Sequence, residues 1–229
     1  MNAPINLEHA RFNMIEQQIR PWDVLDTSVL ELLSVVHRED FAPLAHRALA
    51  FVDMQIPLKD PADEALQRGQ CMLEPKVEAR LLQDLHVLPT EKVLEVGTGS
   101  GYMAALLAHR AQRVITLEID GELARTARAN LQKAGITNVE VREADGAKGL
   151  PAEAPFDVIV LSGSVAEVPQ AMLSQLKVGG RLAAIVGFEP VMRTTIVTRT
   201  GEASFETAQP WDTMAPRLAH FPEPSRFHF

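Results

Sequence analysis

The residues with the most chemical content lie in one short stretch, Glu95-Val96-Gly97-Thr98-Gly99-Ser100-Gly101-Tyr102. A ligand can press against backbone only where no Cβ intervenes, and alternating glycines supply that clearance. If a helix starts directly after such a turn, its free N–H groups favour a polar or negative ligand group. The glycines fall at 97, 99 and 101, whereas a dinucleotide site of the Gly-x-Gly-x-x-Gly type needs its third glycine where Tyr102 stands. Two further acids follow at intervals, Glu118 and Asp145, the latter beside Gly146. A carboxylate at the position of Glu118 can accept bonds from both hydroxyls of a ribose, as acids on the second strand of nucleotide-binding folds do. The single cysteine, Cys71, has no histidine near it in sequence to activate it and reads as a small buried residue. No metal-ligand set is expected.

The surrounding pattern puts these residues at strand ends. Lys92–Val96, Arg113–Glu118, Val139–Val141, Phe156–Leu161 and Arg181–Val186 are short apolar runs. Between them, helical patterns cover Tyr102–His109, Gly121–Ala134 (ended by Gly135) and Val168–Leu176, and Gly179-Gly180 reads as a turn. Apolar strands alternating with helices imply an α/β, Rossmann-like domain: a mostly parallel sheet with helices on both faces and ligands at the carboxyl ends of the strands. This core is expected over residues 89–229. Residues 1–88 read as an N-terminal helical extension on the substrate side. Phe12, Ile15 and Ile19 mark one helix, and Val29, Leu30, Leu33 and Val36 a second, with Pro21 between them and Asp26 or Thr27 as cap. Arg38–Pro43 reads as a helix end and turn, residues 53–69 as an exposed loop, and Pro75 as the start of a helix burying Val77, Ala79, Leu81, Leu82 and Leu85. After 188 the chain is strand-like, then rich in proline and aromatics: Trp211, Phe221, Phe227 and Phe229. Packing of these rings on the protein's own core is the expectation.

Composition narrows the classes of function. The 229 residues carry a net charge of −8, and Lys and Arg are scattered rather than gathered in a stripe, so no nucleic-acid partner is expected. No apolar run approaches the ~18 residues of a membrane span, and Met1–Asn6 resembles no secretory leader. With one cysteine, the chain reads as a soluble cytoplasmic protein. Its oligomeric state is not legible.

Acid–turn–helix spacing of this kind is similar to motif I of class I S-adenosylmethionine (SAM)-dependent methyltransferases. From about Met14 to Val186 the sequence resembles the protein-L-isoaspartate O-methyltransferases. The resemblance rests on Arg38-Glu39-Asp40-Phe41-Ala42-Pro43, Gly69-Gln70 with Pro75, Val93 to Ala105, Asp145-Gly146 with Gly149, and Leu176 with Gly179-Gly180. It implies SAM as cofactor and S-adenosylhomocysteine (SAH) as product. The implied cofactor residues are Glu95, Gly97, Thr98, Gly99, Ser100, Gly101, Glu118, Asp145, Gly146 and Ser162, with Asp145 near the adenine amino group. The implied acceptor is the free carboxylate of an isoaspartyl residue in a damaged protein or peptide, whose ester then collapses to a succinimide. A carboxylate is already ionised at neutral pH, so this chemistry asks for positioning rather than a base.

On the substrate side the resemblance breaks. The family's Gly-Gln-Thr-Ile-Ser-x-Pro is here Gly69-Gln70-Cys71-Met72-Leu73-Glu74-Pro75. Both hydroxyls are gone, and Leu73 stands where the family has a serine that handles the substrate carboxylate. Gln70, Cys71, Leu73, Ser162 and Ser164 are the candidates for the substrate side. The expectation is weak isoaspartyl methylation, restored by Leu73→Ser, unless Ser162 or Ser164 supplies the missing donor. A different acceptor, or a SAM- or SAH-binding protein without catalysis, are the alternatives.

Overall fold

The computed structural model describes residues 6–224. Phe227 and Phe229 lie outside the described residues. Helix α1 (Leu7–Met14) runs on through a wider turn, Ile15–Ile19, and a tight turn, Arg20–Trp22, that contains Pro21. Helix α2 (Thr27–Val35) follows, capped by Asp26, whose carboxylate accepts the Ser28 N–H at 2.8 Å. Ile15, Ile19, Val29, Leu30 and Leu33 are buried as their spacing predicts, whereas Phe12 is exposed.

Residues 53–69 are not the simple exposed loop that their prolines suggest. Strand β1 (Ile56–Pro57) pairs antiparallel with β2 (Cys71–Met72), and α3 (Ala62–Gln67) lies between them. Ile56 is fully buried, and its apolar contact outweighs the local turn chemistry. Helix α4 (Pro75–Leu85) begins at Pro75, where a missing N–H costs nothing.

The main sheet follows: β3 (Lys92–Val96), α5 (Tyr102–Ala108), β4 (Arg113–Glu118), α6 (Gly121–Lys133), β5 (Val139–Glu143), β6 (Phe156–Val165), α7 (Gln170–Leu173), β7 (Leu176–Phe188), β8 (Val191–Arg199), β9 (Phe205–Ala208) and β10 (Asp212–Thr213). Strand order is β10-β8-β7-β6-β3-β4-β5, with β9 also pairing β8. β3 to β7 are parallel, and β8 turns antiparallel beside β7, with β9 and β10 antiparallel outside it. Gly179-Gly180 lies inside β7 rather than in a turn. Leu176 already pairs with Phe156, which cuts the expected helix 168–176 down to α7 and forces an irregularity in register before Val158. A Cβ on Gly180 would sit 2.9–3.1 Å from the carbonyl oxygens of Asp157, Lys177 and Phe156, so only glycine fits this crossing.

Side chains alternate across the sheet. Val93, Val114, Val158 and Ile185 join one apolar cluster with α4, α5 and α6, while Leu94, Ile115, Ile159 and Leu182 join another with α7. The N-terminal residues Met14, Ile19, Leu30 and Leu33 belong to the first cluster, so the first 88 residues pack on the sheet's own core. No helix among the described residues is long and apolar enough to cross a membrane. From β3 the chain steps outward to β4 and β5, then returns to β6 on the other side of β3. The carboxyl ends of β3 and β6 therefore flank the point where strand order reverses, where open α/β sheets place their ligands.

Candidate functional site

At that point lies a cavity of about 290 Å³, near the lower end of the ~300–1,000 Å³ usual for small-molecule sites. Its floor is the turn after β3. Gly97, Gly99 and Gly101 hold φ of +93°, +53° and +87°, values costly for any residue with a Cβ. Gly97 carries a second constraint. A Cβ there would lie 2.9 Å from Leu218 Cδ2 and 3.2 Å from the Ser162 carbonyl oxygen.

Glu118, at the end of β4, forms the adjacent wall. Its Oε2 accepts the Gly99 N–H at 2.8 Å and its Oε1 the Asp120 N–H at 3.0 Å. The carboxylate thus fixes the glycine turn while facing the cavity. Burial pushes its pKa up, and the two backbone N–H groups pull it back. Asp145, at the third strand end, accepts the Ala147 N–H at 2.9 Å, and its other oxygen faces His220 Nδ1 at 2.8 Å. Gly146 is required by close approach, because a Cβ on it would stand 2.4 Å from Val96 Cγ1.

Four residues expected at the cofactor, Glu95, Thr98, Ser100 and Gly101, do not line the cavity. Glu95 is fully buried and accepts from Thr116 Oγ1 and Ser162 Oγ, each at 2.7 Å. Thr116 gives its only proton to Glu95, so Thr98 Oγ1, at 2.6 Å, donates to Thr116. Burial pushes the Glu95 carboxyl up to about 7 against the pull of its two hydroxyl donors. Ser100 Oγ accepts the Tyr102 N–H at 3.3 Å. Glu95, Thr98 and Ser100 support the turn, and Gly101 backs onto Ala127 and Leu131 of α6; none of the four lines the cavity, whereas Ser162 does.

The substrate-side candidates divide in the same way. Gln70 and Cys71 line the cavity. Gln70 Nε2 donates to Asp120 Oδ2 at 2.9 Å, an oxygen also held by Lys59 Nζ at 2.8 Å. Burial pushes the Cys71 thiol up to about 12, so it is no nucleophile. Leu73 does not face the cavity. Its side chain is buried in the first apolar cluster, and its carbonyl accepts from Arg38 Nη2 at 2.8 Å. Arg38 is itself buried and also binds the carbonyls of Ala50 and Met54, so one guanidinium fixes the segment that carries position 73. Leu73 therefore adds no apolar surface to this cavity. Of the hydroxyls proposed as replacements, Ser162 donates to Glu95, and Ser164 is fully buried, lies outside the cavity lining, and has no hydrogen-bond partner for its hydroxyl among the described residues.

The remaining wall comes from residues 216–221, which the sequence marked only as a proline- and aromatic-rich tail. The Ser164 N–H donates to the Pro216 carbonyl at 2.7 Å, and the Leu218 N–H to the Ser164 carbonyl at 2.9 Å. This strap lays Leu218 over Gly97 and Gly163, and it brings Arg217 and Phe221 to the cavity. Phe221 is buried in the second apolar cluster. Trp211 packs against the first and donates from Nε1 to Asp84 Oδ2 at 2.7 Å, so both rings cover the protein's own core. Asp120 was also missed. It follows a strand-end Glu118 and caps α6 through the Glu122 and Leu123 N–H groups, a capping signal legible in Asp120-Gly121-Glu122.

Comparison with known proteins gives a consistent outcome. A protein-L-isoaspartate O-methyltransferase of Koribacter versatilis is 38% identical over 189 residues, covering 82% of this chain and 81% of that protein. Protein-L-isoaspartate O-methyltransferase 2 of Pelobacter propionicus is 37% identical over 212 residues, 91% of each. A solved protein-L-isoaspartate O-methyltransferase superposes with TM-score 0.75 at 22% identity, over 91% of this chain and 65% of that one. A Plasmodium falciparum structure described as a protein-L-isoaspartate O-methyltransferase in complex with SAH gives TM-score 0.72 at 17% identity, over 91% and 97%. These two structural likenesses establish the shared fold, and the sequence profile of one family matches residues 9–214. On these grounds the chain belongs to the protein-L-isoaspartate(D-aspartate) O-methyltransferase family.

Proposed function

We propose that this methyltransferase takes the methyl group of SAM and places it on the free carboxylate of an isoaspartyl residue in a polypeptide. The observation that carries the proposal is the convergence of three strand ends on one cavity: the Gly97–Gly101 turn, Glu118, and Asp145 with Gly146. The glycine turn leaves room for the amino-acid portion of SAM. Glu118 suits the ribose hydroxyls, and Asp145, Gly146 and Phe221 suit the adenine. Bound SAM supplies a methyl group on a sulfonium sulfur that departs as a neutral thioether, so a carboxylate oxygen gains the methyl with no proton to be moved.

The wall left for the acceptor fits that chemistry. Gln70 offers an amide, Cys71 a thiol that stays protonated, and Arg217 a guanidinium. None of these three abstracts a proton, and the carboxylate beside them, Asp120, is already held by Gln70 and Lys59. An anion opposite a guanidinium needs only alignment and exclusion of water.

The test is incubation of the pure protein with methyl-labelled SAM and an isoaspartyl peptide, beside its normal aspartyl twin. Base-labile label in the isoaspartyl peptide alone is expected. No label in either peptide, from protein that binds SAH by calorimetry, would overturn the acceptor assignment while leaving the cofactor assignment standing.

A further inference from the structure

We propose that Arg217 is the group that receives the acceptor carboxylate, in place of the hydroxyl that position 73 lacks; this rests on the carboxylate acceptor proposed above. Arg217 lines the cofactor cavity. It also lines an adjoining cavity of about 580 Å³, walled by Gln55, Gln67, Phe188, Glu189, Met192 and Met214. Among the residues lining either space it is the one cation common to both. Arg68, the other guanidinium at the cofactor cavity, points to a different environment: its side chain is 70% exposed and faces Glu64 at 3.7 Å.

The placement of Arg217 is built rather than incidental. Backbone bonds from Ser164 fix the residues on either side of it. Its Nη2 donates to the Gly187 carbonyl at 2.9 Å, and its guanidinium carbon lies 5.2 Å from the centre of the Phe188 ring. The end of β7 thus holds the head group, and β6 the backbone beside it, at the junction of the cavities. Its Nη1 is buried and has no hydrogen-bond partner among the described residues. A buried charged donor without an acceptor is costly unless some state of the protein satisfies it. The charge is answered now by Glu223, whose Oε1 lies 2.9 Å from Nε on a half-exposed side chain. Glu223 presents to Arg217 the same functional group that the acceptor would. A side-chain carboxylate entering through the larger cavity exchanges with it and gains a fork of N–H donors suited to two oxygens. The larger cavity then houses the polypeptide flanking the acceptor residue.

Steady-state methylation of an isoaspartyl peptide by the native protein and by the Arg217→Gln, Arg217→Lys and Glu223→Gln variants tests this, with SAH affinity measured by calorimetry on each. The expected result for Arg217→Gln is a rise of about tenfold or more in KM for the peptide, as follows from losing a charge-assisted pair. SAH affinity should stay within about threefold of native, since binding of the cofactor does not use that pair. Arg217→Lys should recover part of the loss, because it keeps the charge but not the fork. Glu223→Gln should lower KM by removing the competing carboxylate. Peptide KM values within about twofold of native in both Arg217 variants would overturn the assignment of Arg217 alone. A fall in SAH affinity larger than the rise in peptide KM would make Arg217 a cofactor contact, which also overturns it. No turnover of isoaspartyl peptide by the native protein would overturn the acceptor assignment and this inference with it.

Discussion

Replacing Glu118 by alanine removes one carboxylate that performs two tasks. It anchors the glycine turn through Gly99 and the start of α6 through Asp120, and in the proposed complex it holds the ribose. Glu118 is 6% exposed, so water does not readily take over its role. A hydrogen bond to a charged group contributes roughly 1.5–3 kcal/mol when its partner would otherwise be left bare. The Gly99 N–H faces the cavity and regains water in the variant, which puts the net loss in SAH affinity at roughly 1–3 kcal/mol. That range corresponds to a ~5- to 150-fold weaker Kd. Titration calorimetry with SAH and with a ribose-deoxygenated analogue separates the two tasks. If the carboxylate binds the ribose, Glu118→Ala costs more for SAH than for the analogue. Equal losses for both ligands would assign the whole effect to the turn. Unchanged SAH affinity in a folded Glu118→Ala protein would refute the ribose role outright.

Three other outcomes are expected. Gly146→Ala drives a Cβ into Val96, itself a cavity residue; we expect a loss of about 1–3 kcal/mol in stability with weakened SAH binding, partly relieved by adding Val96→Ala, and a native-like melting curve would contradict this. Burial raises the carboxyls of Glu95 to about 7 and Glu78 to about 8 from an ordinary 4.5, so the folded state holds more protons than the unfolded state across that interval. The stability these groups contribute is full below pH 4.5 and declines as pH rises through 7 and 8; Glu78→Gln should flatten that decline in thermal melts, and a native Tm that climbs over the same range would be the wrong sign. Leu73→Ser exchanges a buried apolar side chain for a polar one, and we expect it to cost about 2–5 kcal/mol in denaturant titrations without adding isoaspartyl turnover. A gain in kcat/KM for the isoaspartyl peptide would show that position 73 reaches the acceptor after all.

The sheet and its glycine turn were legible because each depends on local pattern. Val93, Leu94 and Val96 put apolar side chains on both faces, as a strand covered on both sides needs, and the glycines mark the turn that opens on the cavity. The spacing of Glu118 and Asp145 also reported correctly that they end successive strands. Sequence did not distinguish which acids face the ligand. Glu95 lies two residues before Gly97 and looks like a ligand group, yet its orientation is set by hydroxyls on two neighbouring strands, Thr116 and Ser162. The setting of Leu73 was hidden in the same way, since a buried arginine 35 positions earlier in the chain decides how that segment is held. Pro216-Arg217-Leu218 carries no periodicity at all. Its place follows from a backbone pairing with Ser164 that no side chain announces.

That pairing bears on how such an enzyme changes over evolutionary time. The strap is fastened by main-chain bonds at Pro216 and Leu218, which constrain conformation but leave the identity of residue 217 free. It also lies just past residue 214, where the shared family profile ends. By contrast, Gly97, Gly146 and Glu118 are held at the strand ends, where an added Cβ or a lost carboxylate disturbs the packing around them. If Arg217 receives the acceptor as proposed, that contact sits on the strap, where Pro216 and Leu218 pack against Gly69, Gly97 and Gly163 while the side chain of residue 217 stands between two cavities. Selection can therefore retune the acceptor preference through a handful of codons, and a laboratory graft of residues 214–222 from one relative to another should carry preference with it as an interchangeable cassette.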